Sequence, residues 1–134
     1  MDKVNIKSRG DILGRYADGE RDFTGLELDA DMIDGDVIDL SKAILDYADF
    51  SNCWFSALFC NSSLRGSLFR NANVKSCDFS AADLTGADFT GAAMEAATWR
   101  GATLVNTIFG EVSLYGKLLS EAEFVQIIKD EAAN

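Results

Sequence analysis

The chain has 134 residues, 48% of them hydrophobic, and carries 22 acids against 12 bases for a formal net charge of −10. That length suits one domain burying roughly two-thirds of its unfolded surface. It contains no histidine, which removes the commonest general base, the Ser-His-Asp and Cys-His arrangements and most zinc sites.

The N-terminus, Met1-Asp2-Lys3-Val4-Asn5-Ile6-Lys7, lacks the apolar core of a secretory signal. No later stretch approaches the roughly 20 apolar residues of a membrane span. A cytoplasmic protein without membrane contact is expected. Arg9 to Ala17 carries Ile12, Leu13 and Tyr16 at helical spacing, with Ser8 or Asp11 as caps, so residues 8–19 are expected to form a helix. Between Asp18 and Asp49, 11 acids meet only Arg21 and Lys42. From Phe50 to Leu118 five acids meet five bases, so the acidity belongs to one end.

A five-residue beat then takes over. It reads Ala82-Asp83-Leu84-Thr85-Gly86 and Ala87-Asp88-Phe89-Thr90-Gly91 where it is cleanest. A small residue and a large apolar one point inward on either side of an outward polar residue, which is strand alternation lasting three residues. The next two residues must turn the chain. The absence of proline suggests corners whose N–H groups are used, or whose geometry proline cannot adopt. Repeating a straight and a corner builds a coil that buries its core only by stacking.

At a spacing of 20, Phe69, Phe89 and Phe109 line up, as do Leu64, Leu84 and Leu104. Phe59, Phe79 and Trp99 form an aromatic column, and Val74, Met94 and Leu114 a mixed one. Like stacks on like when four repeats make a turn, which predicts a four-sided coil. Upstream the beat passes through Leu40, Leu45, Phe50 and Phe55, with one residue missing before Phe59 and therefore a tight corner at Ser56. With that slip Leu45 joins the leucine column and Phe50 the phenylalanine column. Phe23, Leu28 and Ile33 keep the spacing, but Ile33 to Leu40 is two residues too long, and the insertion is placed in Asp34-Gly35-Asp36.

These repeats resemble those of the pentapeptide repeat proteins. The resemblance implies an all-β solenoid, a right-handed quadrilateral parallel β-helix, here over residues 23–116 with about five coils. At its end Ser120 and Glu123 make a capping box before Phe124, Val125, Ile127 and Ile128, so a second helix is expected over 119–131. Each helix would cover an open end of the core. The C-terminal one has a second reading, a homodimer surface, as in some gyrase-binding relatives.

No chemistry is grafted onto the beat. Cys53 and Cys77 occupy small inward positions, Cys60 an outward one, and no two cysteines have CxxC spacing. Gly110 to Lys117 misses phosphate-loop spacing and lacks its hydroxyl. Asp29, Asp31, Asp34 and Asp36 have a misplaced glycine for a calcium loop and no closing glutamate. Asp78, Asp83 and Asp88 fall on successive faces, so they ring the coil instead of converging. No enzyme, cofactor or metal is expected.

What remains is surface. Ile44, Trp54, Leu58 and Leu68 stand at outward positions usually held by Asp or Asn, and with Asp29, Asp31, Asp34, Asp36 and Asp39 they form the candidate surface for an unidentified protein partner. The alternative is that the N-terminal segment or the 29–37 stretch folds over them. The net charge argues against direct nucleic-acid binding. Relatives that protect DNA gyrase offer a second function, imitation of duplex DNA, but no face repeats its acids at a spacing of 20.

Overall fold

A computed structural model of the chain describes residues 6–28 and 37–132. Helices α1 (Arg9–Ala17) and α2 (Glu121–Ala132) bracket a coil whose rungs pair in parallel. Among the described residues four rungs are long enough to form strands: β1 (Glu27–Leu28), β2 (Ile38–Asp39), β3 (Trp54–Phe55) and β4 (Ala57–Leu58). β1 pairs with β3 and β2 with β4. The other rungs are single bridges, because a straight of three residues offers one outward position.

Four ladders run down the coil. The outward residues of the first face are Asp22, Asp49, Leu68, Asp88 and Ile108. Glu27, Trp54, Asn73 and Ala93 mark the second, and Asp39, Leu58, Asp78 and Thr98 the third. Ile44, Ser63, Asp83 and Thr103 mark the fourth. Among the described residues one face has five rungs and the others four, which make little more than four turns where about five were expected. At ~4.8 Å per rung its height is about 19 Å.

The slips in the beat are visible in the register. Ile44 pairs with Ser63 and Trp54 with Asn73, 19 residues on; from Leu58 and Asp78 downward the partners are 20 apart. The missing residue is at the corner made by Ser56 alone, between β3 and β4. Farther up, Glu27 and Asp39 mark adjacent faces yet are twelve residues apart instead of five. Glu27 and Asp39 are thus separated by seven residues more than a regular repeat. Ile33 itself lies outside the described residues, as do Asp34, Gly35 and Asp36.

Each regular corner is a turn closed by a bond such as Ala82 N–H to Phe79 C=O, 3.1 Å, or Ala87 N–H to Leu84 C=O, 3.0 Å. Its second central residue has positive φ, 71° at Gly86 and 74° at Gly91, as a type II turn requires. The first central residue uses its N–H. Thr85 donates to Asp83 Oδ1 at 3.1 Å, Thr90 to Asp88 Oδ1 at 2.9 Å and Ser80 to Asp78 Oδ1 at 2.9 Å. Proline there would forfeit that bond. A chain that turns at nearly every fifth residue without proline is thereby explained.

The first and third faces meet across the axis in aromatic columns. Phe50, Phe69, Phe89 and Phe109 stack beneath Phe23, with Phe69 and Phe89 centroids 4.8 Å apart. Opposite them Phe59, Phe79 and Trp99 stack at 5.2 and 4.8 Å. The two columns interlock edge to face, as Phe79 and Phe89 do at 5.4 Å and 85°. Leu45, Leu64 and Leu84 fill the fourth face, and Leu104 closes it half-buried.

The ends are closed by side chains that replace the missing coil. Leu40 N–H reaches Leu58 C=O one rung below, at 2.7 Å; in the first rung the equivalent carbonyl of Asp39 has no coil above it. Arg9 of α1 donates to Asp39 O at 2.8 Å and Ser41 O at 3.1 Å, Tyr16 Oη donates to Asp46 O at 3.0 Å, and Ile12 is fully buried. Ser8 caps α1 by accepting from Asp11 N–H at 3.2 Å. The far end offers N–H groups instead. The Glu121 carboxylate accepts from Phe109 N–H at 2.8 Å and Gly110 N–H at 2.6 Å, and Phe124 packs edge-on to Phe109 at 5.0 Å. Ser120 and Glu123 exchange bonds as a capping box.

Between coil and α2 the chain reverses. β5 (Val112–Leu114) pairs antiparallel with β6 (Lys117–Leu119). Tyr115 and Gly116 both have positive φ, 50° and 78°, the turn a two-residue hairpin requires. The coil expected through 116 thus ends at Phe109. Leu114 packs half-buried in the hairpin and not as the next rung below Val74 and Met94.

Candidate partner surface

The outward acids of the regular coils are engaged in holding corners. Burial raises the Asp78 pKa, but hydrogen bonds from Ser80, Thr98 and Cys60 outweigh it and hold the carboxyl at about 2. Asp83 is lowered by the Thr85 hydroxyl and further by Arg65, whose Nη1 lies 3.1 Å away. For Asp88 burial again works upward, while Thr90 and Arg70 pull the pKa down; Arg70 Nε is 2.7 Å from a carboxylate only 6% exposed. The three sit on the third, fourth and first faces. They do not converge on any point where a substrate could meet two of them.

No ladder of the described residues carries an unbroken column of acids. Leu58 and Thr98 flank Asp78, Ser63 and Thr103 flank Asp83, and Leu68 and Ile108 flank Asp88. The thiols are equally quiet. Burial, then the neighbouring Asp78, pushes the Cys60 thiol up, and burial pushes Cys77 up to about 12, so neither offers a thiolate at neutral pH. Among the described residues no group of three or more acids or cysteines forms a metal cluster; Asp29, Asp31, Asp34 and Asp36 lie outside those residues. An open groove of about 630 Å³ runs between the corner at Ala96 to Arg100 and Glu131 of α2. Of its two carboxylates, Asp78 and Glu131, Asp78 is already bonded to Ser80 and Thr98.

The apolar outward residues are dispersed. Ile44 is 64% exposed on the fourth face and Trp54 54% exposed on the second, the opposite side. Leu58 and Leu68 are half-buried on the third and first. With one on each face, the four ring the upper coils and make no single patch. Asp39 lies exposed one rung above Leu58, with its pKa lowered by the Ser41 hydroxyl and N–H.

Sequence reasoning missed Tyr47. It occupies a corner position with φ of 63°, is 70% exposed, and its ring lies over Gly66 one rung below, where even a Cβ would meet ring carbons at about 2.5 Å. A signal was present. Glycine, asparagine or alanine fill most such corners, and an aromatic ring there serves no turn. Tyr47 follows Ile44 by three residues, at the corner between the fourth and first faces.

A four-sided stack of short parallel rungs with a helix at each end defines a β-solenoid repeat protein. Residues 55–91 match the family model of pentapeptide repeats in 8 copies. The repeats over that stretch are similar to pentapeptide repeats, and the coil has the fold of that class, a right-handed quadrilateral β-helix. Among solved structures it is similar to Rfr23, a pentapeptide repeat protein of the cyanobacterium Cyanothece 51142, with a TM-score of 0.62 and 19% identity over 69% of this chain. The alignment spans 59% of the Cyanothece protein, and at that identity the likeness is one of fold. A pentapeptide repeat protein of the Arabidopsis thaliana thylakoid lumen aligns at 29% identity and a TM-score of 0.45, over 68% of this chain and 71% of its own. One from Nostoc Pcc 7120 aligns at 26% and 0.45, over 85% and 84%. No curated protein matches the chain. No helix among the described residues is long and apolar enough to cross a membrane.

Proposed function

We propose that this chain is a non-enzymatic scaffold that binds a protein partner through the outward residues of its upper two coils. One observation carries the reading. The outward acids hold corners in upper and lower coils alike, as Asp49 and Asp88 do, whereas the Ile44, Tyr47 and Trp54 side chains of the upper coils, 64%, 70% and 54% exposed, fill no core. Val105 and Ile108 of the lower coils are exposed by 55% and 47% but bring no aromatic ring. Exposed tryptophan, tyrosine and aliphatic side chains are common anchors of protein interfaces.

Affinity capture from the native host tests this. A partner retained by the wild type and by Ile108→Asp, but lost with Trp54→Asp or Ile44→Asp, is the expected result. Equal retention by every variant would move the working surface elsewhere.

The DNA-mimic reading, modulation of a type II topoisomerase, has no supporting observation in the ladders. A duplex imitation needs acids recurring down one face; the four faces interleave them with Leu58, Leu68, Ser63 and Trp54. A supercoiling assay with DNA gyrase is expected to show neither inhibition nor protection from a quinolone at micromolar protein.

A further inference from the structure

The bonds that hold one rung to the next stop short at the lower end of the third face. Phe79 N–H donates to Thr98 C=O at 2.8 Å, Ala81 N–H to Arg100 C=O at 2.8 Å, and Thr98 N–H upward to Cys77 C=O at 3.0 Å. The interface above repeats this pattern with Phe59, Asn61 and Asp78 N–H. In the last rung, Ala97-Thr98-Trp99, the corresponding groups are Trp99 N–H, Gly101 N–H and Ala97 C=O. None of them has a partner among the described residues. On the first face the Glu121 carboxylate meets Phe109 N–H, but no described side chain of α2 does the same for Trp99. Trp99 is only 2% exposed, and a backbone donor that water reaches poorly costs free energy until it finds an acceptor.

The charges stop short at the same place. Arg65 and Arg70 stand first in their corners, and each pairs with the outward aspartate one rung below its own straight, Asp83 at 3.1 Å and Asp88 at 2.7 Å. Arg100 holds the equivalent place after Trp99. It is exposed and has no ion pair among the described residues, because no rung follows beneath Thr98. The fourth-face rung is also open below, at Leu104 N–H and Asn106 N–H, but Val105 stands where an arginine would be. The third-face edge has walls as well. The groove of about 630 Å³ runs along Ala96 to Arg100 with Glu131 on its other side. A recess of about 120 Å³, lined by Met94, Leu114, Tyr115 and Ile127, shares Ala96 and Ala97 with it.

We propose that this last rung takes an added parallel strand from a protein partner, an extended segment whose aspartate or glutamate lies beneath Thr98 and pairs with Arg100. The N–H of that acid donates to Ala97 C=O and its carbonyl accepts from Trp99 N–H, as in the rungs above. The residue before it lies beneath Ala97 and puts an apolar side chain into the recess. The site is separate from the upper-coil surface and does not depend on it, and Thr103 and Ile108 lie on other faces.

Fluorescence anisotropy with the purified whole chain tests this. The probe is a capped, labelled peptide with leucine–aspartate between glycines and serines, set against the same peptide with asparagine for the aspartate. The aspartate peptide is expected to bind at least about tenfold more tightly. Arg100→Gln should erase that preference without lowering the melting temperature, whereas Arg65→Gln should keep it. Glu131→Gln, which takes a competing carboxylate from the other wall, should strengthen the aspartate peptide. Methylating the amide nitrogen of the peptide's aspartate should abolish binding. The bound peptide should slow hydrogen exchange at the Trp99 and Gly101 amides and leave Phe79 and Ala81 unchanged. Absent or equal binding of the two peptides, a preference untouched by Arg100→Gln, tight binding of the methylated peptide, or unaltered exchange at both amides overturns the proposal. No host protein enters this experiment, so its failure and that of the upper-coil capture are told apart.

Discussion

The lower coils and the upper coils obey the same five-residue rule with different strictness. From Leu58 down, partners are 20 residues apart, and straights such as Ala82-Asp83-Leu84 and Ala87-Asp88-Phe89 put an aspartate outward to hold the next corner. Above Ser56 the register is 19, seven extra residues enter between Glu27 and Asp39, and Lys42, Tyr47 and Asn52 take corner positions at positive φ. The stretch matching the family model, 55–91, is nearly all of the regular kind. Where the sequence is most typical, its residues serve the coil. Where it departs, Asp22, Asp39 and Asp49 still hold corners, but Ile44 and Trp54 take outward positions without that duty.

The strongest way to break this comparison is through the core. Phe89 is fully buried between Phe69 and Phe109, so Phe89→Ala should cost about 3–5 kcal/mol in denaturant unfolding. A loss under about 1 kcal/mol would contradict the aromatic columns. Next comes the corner aspartate. Asp88→Ala leaves Thr90 N–H and a guanidinium without their acceptor and should cost about 1–3 kcal/mol.

Acid sharpens the same point. Asp78, Asp83 and Asp88 have folded pKa values below the ordinary 3.8. The folded state therefore binds fewer protons than the unfolded one at low pH. Their contribution is complete above that value and is lost as pH falls through it toward the folded pKa of about 2 at Asp78. The melting temperature should fall across that window, and Asp78→Asn should flatten the fall. The smallest effects belong to the upper surface. Ile44→Ser and Trp54→Ser should shift stability by no more than about 0.5 kcal/mol. Tyr47→Asn should leave it unchanged or raise it by up to about 1 kcal/mol.

Much of the coil was legible because its signal is arithmetic. A spacing of 20 placed Phe69 over Phe89 and Leu64 over Leu84, and a missing residue marked the Ser56 corner. Absent proline left two readings, used N–H groups or a geometry proline cannot adopt, and the bonds from Thr85 and Thr90 N–H to Asp83 and Asp88 favour the first. Two features were hidden. Periodicity cannot show which faces two repeats occupy, so the adjacency of Glu27 and Asp39, twelve residues apart, was not legible. Val112 and Leu114 alternate alike in a coil or a hairpin, and only Tyr115-Gly116 decides that the chain reverses. For the candidate surface, sequence proximity suggested one cluster. The same arithmetic, carried to outward positions, assigns Ile44, Trp54, Leu58 and Leu68 to four different faces.

Photo-crosslinking in the native host tests the division between the two halves most directly. A benzophenone side chain placed at Ile44 or Trp54, and separately at Thr103 or Ile108, reads contact without relying on stability. Adducts to one protein from an upper position, and none from the lower pair, are the predicted result. Adducts from Thr103 or Ile108 with none from the upper coils would contradict it.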